Sequence, residues 1–104
     1  TTVRVPVKRG HSEAIVAQFE ERVTLEEANA ILSEAPGIIV MAENKYITPL
    51  QAAGSDLVYV CRLRSDLGMS RALSMWVVSD NLRKGAALNA VQIAELVASK
   101  TKAF

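Results

Sequence analysis

Cysteine and histidine each occur once in these 104 residues, as Cys61 and His11. A single thiol excludes an intrachain disulfide framework and a multi-cysteine zinc site, and it fits a reducing compartment. No uninterrupted apolar run reaches the length of a membrane span and no signal-peptide pattern opens the chain. The sequence therefore reads as a soluble, cytoplasmic protein with no membrane contact. An excess of one charge is also lacking: 12 Lys and Arg stand against 11 Asp and Glu, for a net charge of +1. That balance offers no footprint for a polyanion and argues against nucleic acid. A glycine-rich phosphate loop, an activated nucleophile and a metal-ligand cluster are missing too. Whatever chemistry the chain carries is half of a site.

Half of the residues are hydrophobic and 22% are charged, the balance of a folded domain. A chain of this length buries roughly two-thirds of the surface its unfolded form exposes, enough for a real core. It opens Thr1-Thr2-Val3-Arg4-Val5-Pro6, without an initiator methionine, and enters strand-like alternation at once. Such a start is expected of a chain cut at a domain boundary. No internal repeat or low-complexity tract divides it, so residues 1–104 are read as one unit.

Val3, Val5 and Val7 alternate and predict a short first strand, which Pro6 pushes toward a sheet edge. Gly10 then permits a turn. A second strand is expected from His11 toward Val23, preferred over a poor helix because Ile15, Val16 and Phe19 are β-formers. Thr24-Leu25-Glu26-Glu27 is a capping box that starts a helix, with Leu25, Ala28, Ile31, Leu32 and Ala35 on one stripe and Pro36-Gly37 as its stop. Ile38 to Met41 reads as a compact buried strand. Thr48 to Gly54 suits one helical turn, with proline at its first position and glycine after its end. Leu57 to Arg64 is the most persuasive strand, its more apolar face formed by Leu57, Tyr59, Cys61 and Leu63. Leu73 to Ser79 gives another strand, Asp80-Asn81 a helix cap, and Leu82 to about Ser99 a final helix. The order β-β-α-β-β-β-α makes an α+β fold with a mixed β-sheet and two main helices.

Arg4-Val5-Pro6-Val7-Lys8-Arg9-Gly10-His11 places a guanidinium and an imidazole on adjoining elements. The first suits a carboxylate and the second suits proton transfer. Taken by itself, a lone histidine after glycine is more often a turn residue, and Arg4 more often a surface partner for Glu13 or Glu20. Cys61 invites pairing with His11 as nucleophile and base, yet its place in an apolar strand fits a buried structural thiol better. Trp76 and Met75 read as core or subunit contact.

The segment Arg4 to His11, together with Asp80-Asn81-Leu82-Arg83-Lys84-Gly85-Ala86-Ala87-Leu88-Asn89-Ala90-Val91-Gln92, resembles the carboxyl-terminal part of the aspartate-semialdehyde dehydrogenase family. Pro36-Gly37 and Thr48-Pro49-Leu50 between them are also similar, so the resemblance covers nearly the whole chain. Members interconvert aspartyl-β-phosphate and aspartate-β-semialdehyde with release or uptake of phosphate, using NADP and a cysteine thioester. The resemblance implies that Arg4 binds the substrate carboxylate, that His11 is the acid/base group and that Asn81 lies beside the nicotinamide. It further implies a homodimer, and a last helix docked on a nucleotide-binding domain. The dinucleotide fingerprint and the nucleophilic cysteine belong to the preceding part of the family chain, so these 104 residues alone are expected to be inactive. Lys8-Arg9 departs from the family, being more basic than the apolar pair often found before Gly-His. A catalytically inactive dimerisation or interaction module is the competing reading, and an acyl-phosphate reductase with another substrate is a third.

Overall fold

In the computed structural model, which describes residues 3–101, the middle of the chain forms a four-stranded mixed sheet. Its strands are β1 (His11–Gln18), β2 (Ile38–Val40), β3 (Val58–Ser65) and β4 (Ala72–Ser79), in spatial order β1-β4-β3-β2. β4 pairs antiparallel with both β1 and β3, whereas β2 joins β3 in parallel. Helix α1 (Leu25–Glu34) connects β1 to β2, and the short α2 (Pro49–Ala52) lies between β2 and β3. After β4 comes a π-helical turn, Arg83–Ala87, that runs into α3 (Leu88–Thr101). The α+β class, the mixed sheet and the element order from His11 onward agree with the sequence reading.

Residues 3–7 do not form the expected first strand. Val7 N–H bonds to the Val5 carbonyl at 2.8 Å, closing a γ-turn around Pro6 instead of reaching a neighbouring strand. Proline supplies no amide for a ladder, and the valines that suggested alternation are all exposed. From His11, by contrast, β1 keeps eight residues in register with β4, from His11 opposite Ser79 to Gln18 opposite Ala72.

The core lies where β3 and β4 meet. Val60, Cys61, Leu73 and Val78 are buried there, with Ala28 of α1 and Ala52 of α2. Successive residues of a strand face opposite ways, so burial of both Val60 and Cys61 means that the sheet is covered on both faces at this point. The alternation then breaks at Arg62, whose φ of 52° accompanies a β-bulge. Cys61 pairs with Trp76 and Arg64 with Ser74, which leaves Arg62 and Leu63 opposite Met75 alone. Leu63 thus leaves the stripe that the sequence assigned to it. Cys61 is a buried thiol that accepts the Ile47 N–H at 3.4 Å, while Ile47 O accepts the Trp76 indole N–H at 3.3 Å. These two bonds lay the segment before α2 across the central strands.

Helix α1 starts as its sequence dictates. Thr24 Oγ1 accepts the Glu27 N–H at 3.2 Å, and Glu27 Oε2 accepts the Thr24 N–H at 2.9 Å. The helix ends at Glu34, just before Pro36-Gly37. Helix α3 differs, for none of its residues is buried. Val91, Ile93, Leu96 and Val97 are each more than half exposed. No helix among the described residues is long and apolar enough to cross a membrane.

The Thr24 cap gives a direct check on α1. Thr24→Ala is expected to lower the unfolding free energy by about 1 kcal/mol, read as a shift of the urea midpoint of the native polypeptide that carries these residues. An unchanged midpoint would mean that packing, not the cap, sets the start of the helix.

Candidate functional site

The two ends that carry the sequence motifs meet at one edge of the sheet. β1 begins at His11, and its partner there is Ser79, the last residue of β4. One residue beyond the ladder on either side stand Gly10 and Asp80. Gly10 has φ +101°, and a Cβ at that position would fall 2.6 Å from both the Cβ and the carbonyl oxygen of Pro49. Only glycine fits both the backbone angle and the close approach of α2. With Gly10 in this conformation its N–H donates to Asn81 Oδ1 at 2.8 Å. That bond joins the Arg4–His11 motif to the Asp80–Gln92 motif.

Asp80 is the centre of this edge. It is fully buried, at 0% exposure. Its Oδ1 accepts N–H bonds from Leu82 at 2.8 Å and Arg83 at 3.2 Å, which is the helix cap read from the sequence. Its Oδ2 accepts the Gly54 N–H at 2.6 Å and an Arg9 guanidinium N–H at 2.6 Å. The Gly54 N–H is the main cause that holds the carboxyl down, at about 2 against an ordinary 3.8. Burial opposes that shift, while the Leu82 and Arg83 N–H groups and the Arg9 charge add to it. Arg83 turns its own side chain outward, onto Asp56, and lowers the Asp56 carboxyl below its ordinary value through that hydrogen bond.

His11 stands on the open side of this edge with its side chain 61% exposed. Its Nε2 lies 2.9 Å from Glu13 Oε1, and the two residues share one face of β1. A carboxylate can only accept, so Nε2 carries a proton and, in the neutral ring, Nδ1 keeps the lone pair. Asn81 is fixed in a comparable way. Because its Oδ1 faces the Gly10 N–H, its Nδ2 donors are left for other partners. Arg4 is exposed, on the segment before the γ-turn, and among the described residues its guanidinium has no hydrogen-bond or ion-pair partner. The structure thus brings His11 and Asn81 to one edge, and among the described residues no hydrogen bond or ion pair joins either to Arg4. Glu13, one of the two surface partners that residue type alone suggested for Arg4, is engaged by His11.

Asp80 and Arg9 were missed as members of the edge. The sequence signal at Asp80 was the Asx cap, which accounts for one of its oxygens only. Bonds from Arg9 and Gly54 span 71 and 26 residues of sequence, and no local pattern announces them. A concavity of about 630 Å³ lies elsewhere, between the start of α1 and the bulged part of β3, where Leu25, Met41, Arg62 and Arg64 line it. No histidine or cysteine lines it. Among the described residues no group of three or more His, Cys, Asp or Glu side chains is placed to hold a metal ion.

A family model for the semialdehyde dehydrogenase dimerisation domain matches residues 1–84. The aspartate-semialdehyde dehydrogenase of Aquifex aeolicus (strain VF5) is 52% identical over 100 residues, which cover 93% of this chain and 29% of that protein. The protein of the same name from Rickettsia conorii is 45% identical over 98 residues, covering 91% of this chain and 29% of its own. Among solved structures, aspartate semialdehyde dehydrogenase II complexed with ASA from Vibrio cholerae superposes with a TM-score of 0.85 at 39% identity, covering 97% of this chain and 30% of that one. The chain spans about three-tenths of the length of the relatives it matches.

Two outcomes follow from the edge geometry. Gly10→Ala combines a left-handed φ with a backbone clash, and in the native polypeptide carrying these residues it should cost about 2–4 kcal/mol of unfolding free energy by urea titration; a loss under about 0.5 kcal/mol would show that Pro49 yields freely. Asp80 has a depressed folded-state value, so its stabilising contribution is complete above 3.8 and is lost as pH falls through about 2. Urea midpoints of the parent and Asp80→Asn should therefore differ most at pH 5 and converge toward pH 2. A gap that stays constant with pH would mean that the charge contributes nothing.

Proposed function

Because the chain belongs to the semialdehyde dehydrogenase dimerisation-domain family, we propose that it is the carboxyl-terminal part of an NADP-dependent aspartate-semialdehyde dehydrogenase. The reaction is the interconversion of aspartyl-β-phosphate with aspartate-β-semialdehyde and phosphate, a step of amino-acid biosynthesis in the cytoplasm. The observation that carries this reading is the meeting of the two family motifs through the 2.8 Å bond from Gly10 N–H to Asn81 Oδ1.

His11 is the proton carrier. Glu13 holds the ring through Nε2, so Nδ1 takes the proton of the nucleophile and returns it to the oxygen at the reacting carbon. Arg4, with its guanidinium uncommitted among the described residues, presents paired donors to the substrate carboxylate. The cofactor supplies a hydride acceptor for the aldehyde and a hydride donor for the reverse direction. The residues present fit its nicotinamide end through the amide of Asn81, whose Oδ1 is set by Gly10 and whose Nδ2 is free to donate to a carboxamide oxygen. Helix α3 rests on the absent nucleotide-binding domain, which would cover its exposed Val91, Ile93, Leu96 and Val97. Pairing of two copies into a homodimer is supported by the description of the matching family. The nucleophile and the dinucleotide-binding residues lie outside these 104 residues, so the chain alone is inactive.

The test is made on the native polypeptide that carries these residues. It should reduce NADP with aspartate-β-semialdehyde only when phosphate is present. His11→Asn should lower kcat by about 100- to 10,000-fold, whereas Arg4→Lys should raise KM for the semialdehyde by roughly 10- to 100-fold. Absence of phosphate-dependent reduction in the native polypeptide would overturn the substrate assignment.

A further inference from the structure

The ladder between β1 and β4 ends at His11 opposite Ser79, because Gly10 takes a left-handed φ and Asp80 turns away to cap the next helix. Two bonds to side chains continue the pairing past that point. Gly10 N–H donates to Asn81 Oδ1 at 2.8 Å, and Arg9 donates to Asp80 Oδ2 at 2.6 Å. Neighbours on one strand end thus grip neighbours on the other. Beyond Arg9 the segment that carries Arg4 has a γ-turn at Pro6 and three exposed valines, with no ladder bonds. Among the described residues, Arg9 and Gly10 are therefore the points at which hydrogen bonds tie this segment to the residues after β4.

We propose that Arg9 and Asp80 form a clasp that positions Arg4 for the substrate carboxylate. Both are positioning residues, acting through Arg4 and touching no reacting atom. This rests on the function proposed above. The clasp also accounts for the basic Arg9 where an apolar residue would leave one lone pair of a buried carboxylate without a donor. An arginine suits the task because its planar fork holds one geometry, and its long stem reaches the buried Asp80 while 45% of its side chain stays exposed. Removing the guanidinium still leaves Asp80 with N–H donors from Gly54, Leu82 and Arg83, and a glutamine at residue 9 keeps an N–H donor, so the Arg9→Gln protein is expected to fold.

The experiment is a double-mutant cycle in the native polypeptide carrying these residues. Arg9→Gln should raise KM for aspartate-β-semialdehyde by about tenfold while leaving KM for NADP and for phosphate within about twofold, and Arg9→Lys should restore most of the loss. In an Arg4→Lys background the Arg9→Gln effect on that KM should vanish, because the residue it acts through is already altered. Peptide-level hydrogen exchange supplies a readout independent of turnover. Arg9→Gln should speed exchange in the peptides that contain Gly10 and Gly54, the amides held by Asn81 and Asp80. Unchanged exchange at both peptides would overturn the clasp even in a fully active enzyme, and so would independent, multiplying effects of the Arg4 and Arg9 changes. Faster exchange in a protein that lacks the dehydrogenase activity would instead keep the clasp as a structural element and remove its role toward Arg4.

Discussion

The buried carboxylate of Asp80 is the constraint on which this edge of the molecule depends. An isolated charge out of water is costly, and the cost is offset only if its lone pairs are fully hydrogen-bonded. Asp80 obtains its donors from Gly54, Leu82, Arg83 and Arg9. Three of these are backbone N–H groups and cannot be supplied by a rotamer change elsewhere. To keep the charge satisfied, the turn after α2, the first turn after β4 and the approach to β1 must all converge on one point. Glycine at residue 10 is then required for a second reason, since that convergence presses the chain against Pro49. A single polar group thereby fixes the backbone around His11 and Asn81.

The parts of the fold that were legible in the sequence are those whose cause is local. The Thr24–Glu27 box reads directly as the start of α1, because both partners lie within one turn. Pro49 and Gly54 bracket α2 for the same kind of reason. Val3, Val5 and Val7 misled because alternation says where side chains point if a strand forms, while Pro6 removed a donor and Val7 closed on Val5. At Arg62 the bulge shifts the face of everything after it, and its only trace in sequence is an ordinary-looking Arg-Leu-Arg run. The candidate site divides in the same way. His11 and Asn81 came from motif resemblance and stand at one edge, but Asp80 was legible only as a cap. Its other two bonds join residues far apart in the chain, and such pairings are a property of the assembled sheet.

Packing explains why polar bonds carry so much of this edge. The buried apolar residues are few and small, gathered around Val60, Cys61, Leu73 and Val78, and that cluster reaches outward through alanines rather than large side chains. A core of this kind holds β3 and β4 together but does not reach the approach to β1 or the start of α3. There the order comes from directional bonds: two to Asp80 from the chain that follows it, one from the turn after α2, and the pair from Arg9 and Gly10. Directional bonds specify angle more tightly than apolar contact does, and proton transfer and carboxylate recognition both demand a defined angle. Helix α3 shows the complementary case. It emerges from this rigid corner with Val91, Ile93, Leu96 and Val97 uncovered, so its starting direction is fixed by Asp80 while its apolar surface is left for whatever packs on it. Asn81 stands in the same capped turn, so the side chain that meets Gly10 and the helix with the uncovered surface leave from one point.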